Sequence, residues 1–458
     1  MADIKNVEKY IWDIANIWHN AGMNGTQYVG STLYIMCLKK MVEENACTNP
    51  NYMPSIIELT KVLYRPVSTE DIEVIRRASD ILEETYQVKR GLLSDVLSSF
   101  RSEEEAWKKA FLGVVSATAD IVVDEEGYYP YATQLINMAS KDARRNTAEK
   151  VSSNAVADLL SIAANVQDGE TVLDGTIGYG YSAISAVRGK KDVTLYGVDI
   201  NTDSIQVATL YMILSGINFD VMQEDFTAMD SAYSADKVVM DIPFGMRPMN
   251  ELAGYQLHRV KKWMDADSCK EMECLFMASA LDAMEDNGRV VLIVPQGILF
   301  KQTKALSAFR KNLVKEGLLK AVVSLPPVYN STMINTAMLI LEHNNKDVLF
   351  VDGTSLVQRE RRNDAYITDE NKKKLSEILE GKKVVEGVSF TVPNAEVIET
   401  GDWSISKYID VDEAIELRPI SEINKELKQL YKRLDELNAE SSNEKLSLNA
   451  KVTASLQS

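Results

Sequence analysis

Four acidic positions follow short apolar runs in the middle of this chain, where residue type and spacing could hold a ligand. The first opens Asp174-Gly175-Thr176-Ile177-Gly178-Tyr179-Gly180, directly after Thr171-Val172-Leu173 and before a helical stretch. In a doubly wound sheet such a turn lies at the carboxyl ends of the strands, where ligands bind. Gly178 and Gly180 let backbone approach a ligand closely, and the helix start offers free N–H groups. The second acid, Asp199, ends Tyr196-Gly197-Val198-Asp199. An acid about 20 positions past a glycine loop is where a ribose diol is held, although the same residue could simply cap the next helix. The third, Asp225 in Gln223-Glu224-Asp225-Phe226, is placed to end a third strand and to accept from an adenine amine. The loop and Asp199 together point to an adenosine-containing cofactor.

The fourth acid begins Asp241-Ile242-Pro243-Phe244-Gly245, after Lys237-Val238-Val239-Met240. An acid, a rigid turn and an aromatic at a strand end form a pocket for a flat, amine-bearing ring. A carboxylate oxygen of Asp241 and a backbone carbonyl of the turn at Pro243 can accept the amine's two hydrogens, and Phe244 can stack on the ring. The arrangement aims a nitrogen at a methyl group, where positioning supplies much of the rate. A plain strand-ending turn is the alternative reading.

These positions need a frame, and the pattern of the chain supplies one. From about Ala155, short β-rich runs alternate with helical stretches, continuing through Arg289–Val294, Lys320–Ser324 and Ala337–Leu341. Strands this apolar are buried on both faces, which predicts a mostly parallel sheet covered by helices in an α/β fold. Residues 1–145 read as a helical domain. Ile11, Ile14, Ala15 and Trp18 form one apolar stripe at helical spacing, and Leu33, Met36, Cys37 and Met41 form a second. Trp12 and Trp18 are expected to pack rather than to stack on bases. Residues 146–410 hold the α/β domain and 411–458 a helical tail. In the tail, Ile420, Ile423, Leu427, Leu430, Leu434 and Leu437 form an apolar seam with charged neighbours. It is too short for a coiled coil on its own and suits a helix that docks on a partner or on its own chain.

Composition narrows the function. A net charge of −17 is the opposite of a chain that grips DNA by itself. Cys37, Cys47, Cys269 and Cys274 form no CxxC pair, and His19, His258 and His343 are the only histidines. No structural metal site or disulfide framework is expected. Neither a long apolar run nor a leader-like N-terminus appears, so the expectation is a cytoplasmic protein without membrane contact.

Taken together, these motifs resemble the modification (methyltransferase) subunit of type I restriction-modification systems, an adenine-specific DNA methyltransferase family. The likeness covers almost the whole chain. Asp174 to Gly180 is similar to that family's Asp-Pro-x-x-Gly-Ser-Gly loop, and Val198-Asp199-Ile200-Asn201 to its second-strand acid. Asp241 to Gly245 stands in the place of Asn-Pro-Pro-Phe-Gly. The most specific stretches run from Asn287 to Phe300 and from Gly317 to Pro327, continued by Thr336–Leu341 and Val348–Asp352. The resemblance implies a Rossmann-like methyltransferase core that uses S-adenosylmethionine, held by Ser152, Asp174, Gly178, Gly180, Asp199 and Asp225. It implies DNA as substrate, with the target adenine flipped out of the duplex and framed by Asp241, Pro243 and Phe244. It also implies a specificity subunit that reads sequence and docks on the C-terminal helices, with a restriction (nuclease) subunit as a further partner.

The chain departs from the family pattern in one neighbourhood. Asp241 and Ile242 replace Asn and Pro; the acid keeps an acceptor, while Ile242 loses the stiffening ring and adds an N–H that needs a partner. Gly175 replaces a proline, and Tyr179 stands where the family has a small residue and could crowd the methionine part of the donor. Lys150-Val151-Ser152-Ser153 takes the place of Phe-Tyr-Thr-Pro, with Ser152 keeping a hydroxyl. Two further readings stay open beside an active DNA methyltransferase. One is a catalytically impaired scaffold binding a specificity or defence partner; the other is a methyltransferase of RNA or protein amines.

Overall fold

The computed structural model describes residues 4–97, 105–142, 151–230, 233–248, 251–329, 332–359, 365–381, 383–408 and 427–433. Six helices come first: α1 (Ile4–Asn20), α2 (Gly25–Glu43), α3 (Met53–Leu63), α4 (Asp71–Thr85), α5 (Glu105–Ala119) and α6 (Tyr129–Asp142). The alternating part follows as α7 (Asn154–Ala164), β1 (Thr171–Asp174), α8 (Tyr181–Val187), β2 (Thr194–Asp199), α9 (Thr202–Ser215), β3 (Asn218–Gln223) and β4 (Ala235–Asp241). Next come α10 (Gly254–Lys261), α11 (Met272–Asp282), β5 (Met284–Pro295), α12 (Gly297–Phe300), α13 (Lys304–Lys315), β6 (Leu319–Leu325), β7 (Thr336–Leu341) and β8 (Asp347–Asp352). The last are β9 (Val357–Arg359), β10 (Ala365–Ile367), α14 (Asp369–Gly381), β11 (Ser389–Pro393) and α15 (Asn394–Thr400).

Nine strands form one sheet in the order β11-β8-β6-β7-β5-β4-β1-β2-β3. From β3 through β5 every neighbouring pair is parallel. β7 runs antiparallel to both β5 and β6, β6 and β8 pair in parallel, and β11 closes the edge antiparallel to β8. The expected mixed α/β architecture with a central parallel sheet is therefore present. β6 and β7 are buried along their whole length, as strands covered on both faces must be. β3 alternates between exposed and half-buried residues because it is the opposite edge, and it stops short of Asp225.

Helix α2 departs from the expected amphipathic stripe. Leu33, Met36, Cys37 and Met41 are buried, but so are Tyr34, Ile35, Leu38 and Lys39 on its other sides. The reason is its position: α2 packs against α4, α5 and α6 and also against the sheet-covering helix α9. The Cys37 thiol donates to the Leu210 carbonyl at 3.4 Å across that last contact. Trp18 is fully buried and its Nε1–H donates to Thr32 Oγ1 at 3.0 Å. Trp12 is instead 56% exposed, so it is not the packing residue expected of it.

Met1–Tyr408 form one compact unit, in which the N-terminal helices and one face of the sheet share a hydrophobic core. The expected boundary near residue 145 falls at 143–150, outside the described residues. Of the tail, residues 427–433 are helical and expose Leu427 and Leu430; Ile420, Ile423, Leu434 and Leu437 lie outside the described residues. No described helix is long and apolar enough to cross a membrane.

Candidate active site

The parallel arrangement puts the ends of β1, β2 and β4 on one side of the sheet, with Asp174, Asp199 and Asp241 as their last residues. Asp174 is buried, and its Oδ1 accepts from the Thr176 N–H at 2.9 Å, which turns the chain out of the strand. Its carboxyl is pushed up to about 8 by burial, with the charges of Asp241 and Asp199 adding to the push and the Thr176 N–H opposing it. Gly178 and Gly180 then adopt left-handed backbone, at φ 53° and 82°, before α8 starts. The Gly178 N–H donates to Asp199 Oδ2 at 2.9 Å, so the acid of β2 clamps the loop of β1. Asp199 Oδ1 accepts from the Asn201 N–H at 2.8 Å, and it is Asn201, not Asp199, that caps α9 by accepting from Ser204 N–H.

Gly175 has a steric explanation. A Cβ added there would lie 2.3 Å from the Phe226 ring, so the side chain after Asp225 occupies the space that a proline would need. Tyr179 is 2% exposed and belongs to the core shared with the N-terminal helices. Asp225 begins a turn beyond β3, its Oδ1 accepting from Thr227 N–H at 2.9 Å and from Thr227 Oγ1 at 2.7 Å.

The second half of the site is built by distant pieces of chain. Ser152 Oγ donates to Asp241 Oδ2 at 2.7 Å, and the Tyr329 hydroxyl donates to Asp241 Oδ1. Burial raises the Asp241 carboxyl above the usual carboxylate range, and the bonds from Tyr329 and Ser152 oppose that rise. Burial, reinforced by the Asp241 charge, raises the Tyr329 phenol well above its ordinary value. The Phe244 ring meets the Tyr329 ring edge to face, with centroids 5.4 Å apart and planes at 85°. Pro243 and Phe244 are half-buried, whereas Ile242 is 2% exposed and packs into the core under the sheet. The Gly245 N–H donates to Glu273 Oε1 at 2.9 Å, which ties the turn to α11.

Sequence reasoning named Ser152 and Asp241 but not their contact, and it passed over Thr176, Glu273 and Tyr329. An aromatic two residues past the Pro326-Pro327 end of a buried strand was the one available signal for Tyr329. The two halves meet at Thr176, whose Oγ1 lies 3.4 Å from both Asp174 Oδ1 and the Asp241 carbonyl and can donate its one proton to either.

The family model for the N-6 DNA Methylase matches residues 131–416, more than half of the chain. A type I restriction enzyme HindI methylase subunit from Haemophilus influenzae is 23% identical over 181 residues, 38% of this chain and 41% of that protein. The type II restriction enzyme and methyltransferase RM.BcgI from Heyndrickxia coagulans is 23% identical over 222 residues, 43% of this chain and 32% of that protein. The matched part is thus less than half of either relative. The crystal structure of a type I restriction-modification methyltransferase subunit from Streptococcus thermophilus shares the fold. Its TM-score is 0.68 at 17% identity, covering 89% of this chain and 100% of that one. The chain belongs to the N-6 DNA methylase family.

Proposed function

We propose that this chain transfers a methyl group from S-adenosylmethionine to the exocyclic amine of adenine in DNA, as the modification subunit of a type I restriction-modification-like system. The observation that supports the reading is the placement of the glycine loop and the Asp241 turn at the ends of the neighbouring parallel strands β1 and β4, with Thr176 Oγ1 3.4 Å from the Asp241 carbonyl. Two ligand sites at adjacent strand ends suit direct transfer, in which positioning supplies much of the rate.

The residues present fit an adenosine-type ligand: a loop with two left-handed glycines, clamped by a carboxylate at the end of the next strand. Asp174, Gly178 and Gly180 would border the donor, Asp199 would accept from its ribose hydroxyls, and Asp225 would accept from its adenine amine. Ser152 commits its one proton to Asp241, so it would meet the donor only as an acceptor, which suits an ammonium group. When bound, the donor supplies an electrophilic methyl group. The Asp241 carboxylate and a backbone carbonyl of the Ile242-Pro243 turn would accept the amine hydrogens, and Phe244 would stack on the base. The amine sheds one proton as the N–C bond forms, and a carboxylate held above its ordinary range by burial is suited to take it up.

Adenine inside a duplex is out of reach, so the base must be extruded. Exposed Arg247 after β4, and Lys301 and Lys304 around the start of α13, would supply cations for a phosphate backbone. Against a net charge of −17 these do not suffice for tight binding. A specificity subunit would supply the remaining grip, docking on the tail that carries exposed Leu427 and Leu430; a nuclease subunit would complete the system. Calorimetric titration with S-adenosylmethionine, partner present, tests the donor site. Binding by the wild type and by Asp241→Ala is expected; no heat at millimolar donor would favour a scaffold instead.

A further inference from the structure

We infer that Ser152 and Tyr329 are positioning residues whose hydroxyls clamp the Asp241 carboxylate as the acceptor for the substrate amine. The inference rests on the amine-methyltransferase reading above and assigns how this chain carries it out with an acid where the family pattern has an amide.

An Asn side chain offers one acceptor oxygen and two N–H donors, whereas a carboxylate is acceptor-only on both oxygens. Here two O–H donors approach two different oxygens of residue 241, Ser152 on Oδ2 and Tyr329 on Oδ1. With an amide in that place, one hydroxyl would face an NH2 group and would have to reverse. A carboxylate thus takes both hydroxyls as donors at once, whereas an amide takes one as donor and turns the other into an acceptor. Each carboxylate oxygen carries two lone-pair sites, so the clamp fixes the group in space and still leaves acceptor capacity for an incoming amine hydrogen.

Both donors are themselves anchored. The residue next to Ser152 caps α7, with Ser153 Oγ accepting from Val156 N–H at 3.2 Å and donating to the Val328 carbonyl at 2.6 Å. That bond joins the two donor segments to each other. Arg359 Nη2 donates to the carbonyls of Pro327 at 2.9 Å and Tyr329 at 2.8 Å, holding the second segment from β9. Among the described residues, Asp174 at the end of β1 interacts with the Asp241 charge, Glu273 on α11 holds the turn that follows Asp241, and Arg359 holds the Tyr329 segment. Burial opposes ionisation of Asp241, and the two hydroxyls favour it.

The test is an infrared titration of the protonated carboxyl band of Asp241 in the full chain, assigned by its loss in Asp241→Asn. Tyr329→Phe keeps the ring against Phe244 and removes only the donor. Its titration midpoint is expected to rise by about one pH unit or more, the size of a hydrogen bond to a charged group. Ser152→Ala should raise it by less. The acidic limb of the kcat/KM profile for DNA methylation should move with each midpoint, and in an Asp241→Asn background Tyr329→Phe should move no limb. Midpoints unchanged in both folded variants would overturn the clamp. Shifted midpoints with no methyl transfer by the wild type would instead uphold the clamp and sink the methyltransferase reading.

Discussion

The two halves of the site are held by different kinds of contact. On the proposed donor side, Asp174, Asp199 and Asp225 accept from N–H groups two residues further along, at Thr176, Asn201 and Thr227. On the acceptor side, Asp241 is held by Ser152 and Tyr329, which lie 89 and 88 residues away. Local carboxylate–backbone turns follow from short sequence. A carboxylate gripped by remote hydroxyls depends on the whole sheet bringing three segments together. The donor half is therefore stiffened by its own turns and by one bond between neighbouring loops, Gly178 to Asp199, and the acceptor half by segments far apart in sequence.

Three substitutions probe that contrast. The largest effect is expected for Asp199→Ala, which removes both the proposed ribose acceptor and the clamp on Gly178. Donor affinity measured by calorimetry should fall by about 10- to 100-fold, as for hydrogen bonds to a charged group, and the Asp241 titration should keep its midpoint if the halves are built independently. A moved midpoint would break the division.

Gly175→Ala comes next. Its Cβ would strike the Phe226 ring at 2.3 Å, and overpacking of this kind costs about 1–3 kcal/mol. Denaturant unfolding should show that loss, with part of it recovered when Phe226→Leu is added. No loss would mean that the ring moves freely and that Phe226 does not account for the glycine.

The smallest effect is expected for Asp174→Asn. With its folded carboxyl pushed up to about 8, the native state holds a proton that the unfolded chain releases near pH 4. The stability this group contributes is full below that unfolded range and is lost as pH rises through about 8. Thermal unfolding between pH 5 and pH 9 should fall less steeply in the variant, a difference of a few degrees. Parallel curves would place Asp174 among ordinary ionised carboxylates.

The same contrast explains what could be read from the chain before folding. Thr171 to Gly180 and Tyr196 to Asp199 announce strand, turn and acid within one short window, so the donor half was visible. Asp241 was visible as a strand-ending acid. Its partners were not, because nothing local links Ser152 or Tyr329 to it. Tyr179 misled for a related reason: its sequence neighbours are glycines of the loop, but its ring packs in the core with the N-terminal helices. α2 read as amphipathic because its full burial depends on α9, more than 150 residues later.

The central claim is transfer of methyl to adenine at Asp241. Genomic DNA would be incubated with S-adenosylmethionine and the chain co-expressed with its specificity partner, then digested to nucleosides and analysed by mass spectrometry. N6-methyladenine with the wild type, and a loss of about 100-fold or more with Asp241→Ala, is the predicted result. Equal methylation by the two proteins, or none by the wild type, would contradict it.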